Sequence, residues 1–308
     1  MTEKKKFSWK REWKRNGIAY LLLIPTLVYL IIFNYIPMAG ILMAFEKYRP
    51  AKGIFGSEWV GFANFIELFS GEEFPRALRN TVAMALLNLT IGFISPIIFA
   101  FLLSLLKSKK YKRTVQTMSY MPNFVAAVVI CALITEFLGK DGALTQFFTL
   151  FGAPEQNWLA NTKIPVFWLI NTFSGIWCGI GWGSIMYVAA ISNVNGELHE
   201  AAAIDGANRF KRVIHITIPC IMPIIVMNLT LQVGVCFIAG FDKILLLYMP
   251  STYEVADCIS TYTYRLAFSS TANYGLSTAS SLFQSLVGTV LLIVSNYLNK
   301  RASGMSLF

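Results

Sequence analysis

The residues in this chain with the clearest chemical potential are amides set into long apolar runs. Asn228, Gln232 and Cys236 recur at every fourth position, so they share one face of a helix. Asn171 and Trp182 occupy another apolar run. Polar side chains inside lipid face the interior of a bundle or a water-filled path, and amides hydrogen-bond hydroxyl groups well. We therefore predict that these five residues line a path for a hydroxyl-rich cargo, whose sugar rings could stack on an indole.

A second interpretation is that the same amides join helices to one another, and the sequence leaves both interpretations open. Asn88, Thr90 and Gln284 are further candidates for either role, lining a path or joining helices. No ionised residue is expected deep in an apolar run, because Glu136 and Asp242 fall near the ends of their runs. An ion or proton path usually needs such a charge. Its absence favours a neutral cargo.

The reactive side chains form no catalytic arrangement in the sequence. Five scattered cysteines without CxxC spacing indicate neither a disulfide framework nor a metal site. The two histidines, His199 and His215, both lie in the loop at residues 192–219, are too few for a metal centre and form no catalytic arrangement. A GxxxxGK[ST] phosphate-binding loop is also absent from the sequence. We predict no catalytic residue, no metal and no cofactor, and we expect that the chain is not an enzyme.

The elements that must position these residues are membrane helices. Of the 308 residues, 56% are hydrophobic and only 14% are charged, with a mean hydropathy of +0.57. A soluble domain could not bury so much apolar surface. A bilayer span needs roughly 20 apolar residues. Six runs of this length predict an all-α polytopic fold, at about 17–45, 79–106, 117–138, 164–191, 220–247 and 277–299. The first run is too long for a cleaved signal peptide.

The net charge of +10 is concentrated on one side of these spans. Seventeen of the 26 Lys and Arg residues fall in the two termini and in the loops after the second and fourth runs. This asymmetry follows the positive-inside rule, so both termini are predicted to be cytoplasmic. Basic flanks at a membrane surface account for nearly all of the charge, and no nucleic-acid partner is predicted. Residues 1–16 form a basic cytoplasmic segment, either an amphipathic surface helix or a disordered tail.

The loop at residues 192–219 is polar and basic, and it is predicted to fold as helix, turn and helix. Asn195 can cap the first helix. Gly206 permits a sharp turn, Asp205 is placed to cap the second helix, and Pro219 marks the entry to the fifth span. A short rigid helix held between two spans suits binding in a groove of a cytoplasmic partner.

Two further patterns concern the outer side and the fourth span. Within the outer amphipathic loop 46–78, apolar residues from Phe62 to Phe69 recur at helical spacing and predict a short helix against the membrane. Gly175, Gly179 and Gly183 lie on one helix face with Asn171. Small residues at this interval favour close helix packing, and a smooth wall to a path is the alternative.

The cytoplasmic loop resembles the EAA loop of the permease subunits of bacterial type I ABC importers. It contains Glu200-Ala-Ala-Ala-Ile-Asp-Gly206 and the ending Ile216-Thr-Ile-Pro219, in which Ile218 replaces the more usual leucine. Further stretches resemble sugar permeases, especially those that move oligosaccharides derived from polysaccharides: 59–65, 79–81, 257–265 and 274–279. The resemblance covers about residues 15–303 and implies a six-helix permease domain over 17–303.

The resemblance also implies roles and partners. A separate cytoplasmic ATPase, in two copies, would dock on this loop through Glu200, Ala201, Ala202, Asp205 and Gly206. A second permease would pair with this chain as a heterodimer, and an extracellular solute-binding lipoprotein would deliver an oligosaccharide. The expected location is the bacterial inner membrane. An ion-coupled secondary transporter or channel is the alternative, although no convincing inverted repeat is found.

Overall fold

The chain is almost entirely helical in the computed structural model, which describes residues 9–238 and 240–304. Five continuous helical stretches in this part are long and apolar enough to cross a bilayer. They are Glu12–Phe45, Glu73–Leu105, Val166–Ser192, Arg209–Val235 and Tyr274–Arg301. Lys109–Phe124 and Ala127–Thr149, bent by 100° at their junction, supply a sixth if the pair is one span. The predicted all-α polytopic architecture is confirmed.

The elements follow one another with short connections. The α-helices are α1 (Trp9–Leu30), α2 (Ala63–Ser70), α3 (Glu73–Leu87), α4 (Phe93–Leu105), α5 (Lys109–Tyr120), α6 (Ala127–Leu138), α7 (Ala143–Thr149), α8 (Val166–Ser192), α9 (Gly196–Ile204), α10 (Arg209–Arg212), α11 (Ile218–Val235), α12 (Phe241–Leu247), α13 (Tyr253–Ala256), α14 (Ile259–Phe268) and α15 (Tyr274–Ser303). π-Helical turns cover Ile31–Tyr35, Asn88–Gly92 and Val213–Thr217, and 3-10 turns cover Ile36–Phe45, Met121–Phe124, Trp158–Ala160 and Pro250–Thr252. Strands β1 (Glu46–Lys47) and β2 (Glu58–Trp59) pair antiparallel, with Glu46 opposite Trp59.

Two predicted spans are interrupted in the structure. The span expected over 117–138 breaks at the 3-10 turn that contains Pro122, since proline lacks the N–H that an α-helix needs. The span expected over 220–247 ends at Val235, and a separate short helix, α12, begins after Gly240 with its φ of 86°. Hydropathy detects an apolar run, but it does not detect a break inside one.

The N-terminal prediction can be examined only in part, because residues 1–8 lie outside the described residues. From Trp9 onward, α1 passes residue 16 without a break and runs on into the first span. No residue in the most apolar part of that span is buried within the chain. Its Leu and Ile side chains are therefore available to lipid or to another subunit.

Packing concentrates on α8, which lies against α4, α5 and α3. One buried apolar cluster joins α3, α6, α8 and α12 through residues such as Ile130, Phe167 and Ile244. A second cluster, around Phe74 and Tyr262, joins α2, α3, α14 and α15. The helices therefore form one bundle whose remaining apolar surface faces outward, as lipid requires.

The end of the bundle opposite the 192–219 loop is fixed by buried polar contacts. Asn64 Nδ2 donates to the carbonyls of Ala44 (2.8 Å) and Glu46 (3.0 Å), which anchors α2 to the β-hairpin. Asn80 Nδ2 donates to the carbonyl of Asp257 at 2.9 Å, and the buried Asp257 carboxylate pairs with Arg265 at 2.8 Å. These bonds tie the N-terminal end of α3 to the segment between α12 and α15.

The short helix predicted near Phe62–Phe69 is present as α2, and the apolar face predicted to lie against the membrane points away from the rest of the chain. Asn64 and Leu68 are buried, whereas Phe62 and Ile66 are exposed. The reason is that the amide of Asn64 must reach the hairpin carbonyls, and this requirement sets the rotation of the helix.

Candidate functional site

A cavity of about 830 Å³ opens in the middle of the bundle. This volume falls within the roughly 300–1,000 Å³ range of small-molecule sites. Four segments supply its walls: residues 88–96, 171–187, 228–232 and 240–243. We call this space the central cavity.

Four of the five predicted path residues line the central cavity: Asn171, Trp182, Asn228 and Gln232. Asn228 and Gln232 are neighbours on α11, and Trp182 is half exposed to the space. Cys236 is not among the lining residues. It follows the last residue of α11, and its thiol donates to the carbonyl of Val233 at 3.1 Å. The stripe predicted from four-residue spacing ends where the helix ends.

The other polar candidates divide between lining and packing. Asn88 lines the central cavity. Thr90 instead bonds back to the carbonyl of Leu86 at 2.7 Å, within its own helix. Gln284 is buried and donates to the Ser260 hydroxyl at 2.7 Å and to the carbonyl of Phe237. Gln284 therefore joins helices, which is the second interpretation left open by the sequence.

The glycine face of α8 forms a wall of the central cavity. Gly175, Gly179 and Gly183 all line it, and an added Cβ at Gly179 would meet nothing within 4 Å. The closest helix packing uses a neighbouring glycine instead. A Cβ at Gly181 would overlap the carbonyl of Ser119, so only glycine allows this approach of α5. The prediction that these glycines serve helix packing was wrong for Gly179. The alternative, a smooth wall of the path, is correct for this residue.

Lys243 is a lining residue that the sequence reasoning missed. Its Nζ donates to the carbonyl of Asn171 at 2.5 Å and to the Ser174 hydroxyl at 3.2 Å. The sequence analysis considered only Glu136 and Asp242, near the ends of the apolar runs, and Lys243 adds a positive charge at the central cavity. The break before α12 turns Lys243 toward α8, and the only sequence signal was Gly240 followed by the charged pair Asp242-Lys243.

Asn171 is the most buried of the predicted path residues, with 4% of its surface exposed. Its Nδ2 lies 3.5 Å from the sulfur of Met84. Its Oδ1 has no hydrogen-bond partner among the described residues. A buried acceptor without a donor is costly, so it marks a position where a ligand group can bind.

The predicted helix–turn–helix is present in the 192–219 loop, and we call α9, the turn 205–208 and α10 the elbow. Asn195 Oδ1 accepts from the N–H of Glu197 at 3.0 Å and caps α9, as predicted. At the other end, the N–H of Ala207 bonds the carbonyl of Ala202 at 2.8 Å, and the N–H of Gly206 bonds that of Ala203 at 3.2 Å. This Schellman arrangement needs a left-handed residue, and Gly206 supplies it with a φ of 77°.

Two details of the elbow differ from the prediction. Asn208, not Asp205, caps α10, with its Oδ1 accepting from the N–H of Lys211 at 2.8 Å. Asp205 instead ends α9, because Gly206 places it on the near side of the turn. Pro219 does not start a new helix, since residues Arg209–Val235 are one continuous helix with a π-helical turn just before Pro219.

The surface of the elbow combines exposed polar and apolar side chains. Glu200, Ala201, Asp205 and Gly206 are exposed, and Ala202 is half-buried. Ile204 is 87% exposed and Phe210 72% exposed, although both lie outside the predicted spans. Arg212 Nη1 donates to the carbonyl of His199 at 3.3 Å, which braces α10 against α9. The result is a braced surface with large apolar side chains that could enter a groove.

Within the described residues, no group of three or more His, Cys, Asp or Glu side chains could hold a metal ion. The chemistry available at the central cavity is hydrogen bonding from amides, ring contact from Trp182 and one positive charge from Lys243.

Comparison with known proteins shows the family of this chain. Residues 92–304 match the family described as "Binding-protein-dependent transport system inner membrane component". The chain is 38% identical to Protein LplB of Bacillus subtilis (strain 168), over 100% of this chain and 96% of that protein. It is also 38% identical to the polygalacturonan/rhamnogalacturonan transport system permease protein YteP of the same organism, over 92% and 87% of the two chains.

The fold matches a solved structure closely. A chain in the crystal structure of a bacterial alginate ABC transporter, in complex with an alginate pentasaccharide-bound periplasmic protein, superposes with a TM-score of 0.88. The two chains are 35% identical, and the match covers 97% of this chain and 99% of that one.

Proposed function

Since this chain belongs to the family of binding-protein-dependent transport system inner membrane components, we propose that it forms half of a pathway through which an ABC importer takes up oligosaccharides. The chain is a multi-pass membrane protein and a permease subunit of a sugar ABC importer, not an ion-coupled carrier. The observation that carries the mechanism is one continuous helix, Arg209–Val235, which joins the elbow to the central cavity.

ATP hydrolysis is assigned to a separate subunit that docks on the elbow. The sequence has no phosphate-binding loop of its own. Glu200, Ala201, Ala202, Asp205 and Gly206 form the polar part of the docking surface, while the exposed Ile204 and Phe210 enter a groove of the ATPase. Full burial of a side chain of that size stabilises a complex by roughly 1.5–3 kcal/mol.

Movement of the elbow reaches the cargo through the helix itself. From Arg209 to Gln232 the backbone rises roughly 35 Å at 1.5 Å per residue. Because α10 and α11 form one helix, a displacement of the elbow also displaces Asn228 and Gln232. The central cavity is thereby opened to one side or the other as the ATPase changes state.

The importer needs further subunits to work. A second, different permease would cover the open side of the central cavity and contribute a second elbow, so that two ATPase copies are engaged. An external solute-binding lipoprotein would deliver the oligosaccharide, in line with the periplasmic protein bound in the similar alginate transporter.

The proposed topology follows from the charge asymmetry. Residues 17–303 form the six-helix permease domain in the bacterial inner membrane, with the basic segment 1–16 and the C-terminus in the cytoplasm. The 192–219 loop is then cytoplasmic, and the 46–78 loop faces outward.

The test is uptake by the complete importer in proteoliposomes. Glu200→Lys reverses a charge on the docking surface and should abolish ATP-dependent oligosaccharide uptake while the protein stays in the membrane. Glu155→Lys is the matched control, because Glu155 is an exposed carboxylate on a loop at the opposite end of the bundle. Unchanged uptake in Glu200→Lys would contradict the docking role of this residue.

A further inference from the structure

We propose that Lys243 and Asn171 form a subsite that recognises a carboxylate-bearing sugar, so that the cargo is an acidic oligosaccharide built from uronate units. This inference rests on the proposed transport function and specifies its cargo. It replaces the neutral cargo that the sequence favoured.

The first observation is the state of Lys243. Its ammonium group has three donors, and two of them bond the carbonyl of Asn171 and the hydroxyl of Ser174. Both acceptors are uncharged, and no carboxylate among the described residues lies within salt-bridge distance of Lys243. A partly desolvated cation without a counterion is costly. An anion that enters the central cavity would supply the missing counterion.

The second observation is the glycine face of α8 on which the ammonium group lies. Gly175 lies directly next to it, and a Cβ at this position would come within 3.1 Å of Nζ. Gly179, one turn further along the same wall, has open space before it. The glycine face therefore allows a ligand to approach Lys243 without meeting a side chain of α8.

The third observation is the unpartnered oxygen of Asn171. Asn171 is 4% exposed and lines the central cavity, yet its Oδ1 has no donor among the described residues. The same residue's carbonyl bonds Lys243, so the unpartnered oxygen and the charge without a counterion belong to two residues in contact. A sugar acid carries the two complementary groups, a carboxylate for Lys243 and a hydroxyl donor for Asn171.

The remaining lining residues add no opposing charge. Among the described residues that line the central cavity, Lys243 is the only ionisable acid or base apart from the phenol of Tyr187. The amides of Asn88, Asn228 and Gln232 suit the hydroxyl groups of further sugar units. The central cavity thus offers amides to hydroxyl groups at the π-helical turn Asn88–Gly92 and along α11, and a positive charge at Lys243.

The experiment compares an acidic cargo with its neutral counterpart. The complete importer, reconstituted in proteoliposomes with its binding protein, is supplied with oligogalacturonates or with their methyl esters, which keep the hydroxyls and lose the charge. The wild type should take up the acid in preference to the ester. Lys243→Gln should lower uptake of the acid by about tenfold to a hundredfold, the range expected for one charge-assisted hydrogen bond, and lower uptake of the ester by a smaller factor.

Two further variants separate charge recognition from folding. Lys243→Arg keeps the positive charge and should keep the preference for the acid. Asn171→Asp places a carboxylate of equal size in the same subsite as Lys243, so an internal ion pair should lower uptake of the acid more than uptake of the ester. Equal losses for acid and ester in Lys243→Gln, or a full acid preference in Asn171→Asp, would overturn the assignment.

The outcomes also separate this inference from the proposed function. ATP-dependent uptake of the ester by the wild type, without preference for the acid, would overturn the acidic cargo and leave the importer intact. Failure to take up either oligosaccharide in the presence of a working ATPase would contradict oligosaccharide import, and the inference with it.

Discussion

Replacement of Gly206 by alanine adds one methyl group to the elbow and tests its turn. Gly206 has a φ of 77° and closes the Schellman arrangement at the end of α9. An added Cβ would meet nothing within 4 Å, so steric contact with other residues contributes nothing. The whole effect of Gly206→Ala must come from the left-handed backbone conformation.

The size of the effect follows from that conformation. A residue with a Cβ pays roughly 1–2 kcal/mol to adopt the left-handed region. If the ATPase binds only the turned elbow, the same free energy is lost from binding, and the affinity should fall roughly 5- to 30-fold. Gly206→Asn should lose less, because asparagine tolerates this region. Gly206→Val should lose more, because a β-branched residue is a genuine outlier there.

The assay is the dissociation constant of the ATPase subunit for the permease complex in nanodiscs, with uptake measured on the same preparations. Gly196→Ala is the matched control. Gly196 is exposed on the first turn of the same helix, has no positive φ, and also has open space for a Cβ. This control should bind the ATPase as the wild type does, or slightly more tightly, since alanine is a better helix former.

The role of Gly206 would be refuted if the ATPase affinities of its variants did not follow their tolerance of the left-handed backbone conformation. Wild-type affinity in Gly206→Ala would show that the turn is not held in the left-handed region when the ATPase binds. An equal loss in Gly196→Ala would show that the loss reflects added volume on the elbow and not strain.

Two other predictions use glycines and amides of the membrane helices. Gly181→Ala should destabilise the bundle by about 1–3 kcal/mol because the methyl group overlaps the carbonyl of Ser119. Gly179→Ala is the control and should leave thermal stability in detergent unchanged. Equal melting temperatures for both variants would contradict the packing assigned to Gly181. Asn228→Leu and Gln232→Leu should reduce oligosaccharide uptake several-fold while ATPase binding stays at the wild-type level, and a loss of ATPase binding in these variants would show that the amides are structural.

Much of the architecture could be predicted from local sequence. Four of the six apolar runs, at 17–45, 79–106, 164–191 and 277–299, coincide with continuous membrane-length helices, because a bilayer demands a fixed length of apolar helix. The cap at Asn195 and the turn at Gly206 depend only on side chains and backbone angles within a few residues. The prediction that Asp205 caps α10 was wrong. Asn208 is the N-cap of α10, and Asp205 lies before the turn at Gly206, at the end of α9.

The central cavity needed the tertiary structure. Asn228, Gln232 and Cys236 are equivalent by spacing, but the helix ends at Val235 and only the first two reach the cavity. Asn171 and Gln284 are both amides in apolar helices. Among the described residues, the Asn171 side-chain oxygen is buried without a hydrogen-bond partner, whereas Gln284 bonds a neighbouring helix. Spacing along one helix cannot show what stands opposite each face.

By itself, the sequence determined which segments enter the membrane and which short segment turns sharply between two of them, because both depend on interactions between neighbours in the chain and on the solvent. Only the tertiary structure decided where the charge of Lys243 is placed. Helix α12 begins after Gly240 and packs against α6, and this packing places the Lys243 ammonium group beside the carbonyl of Asn171 on α8. The chemical character of the cavity is therefore a property of the assembled helices.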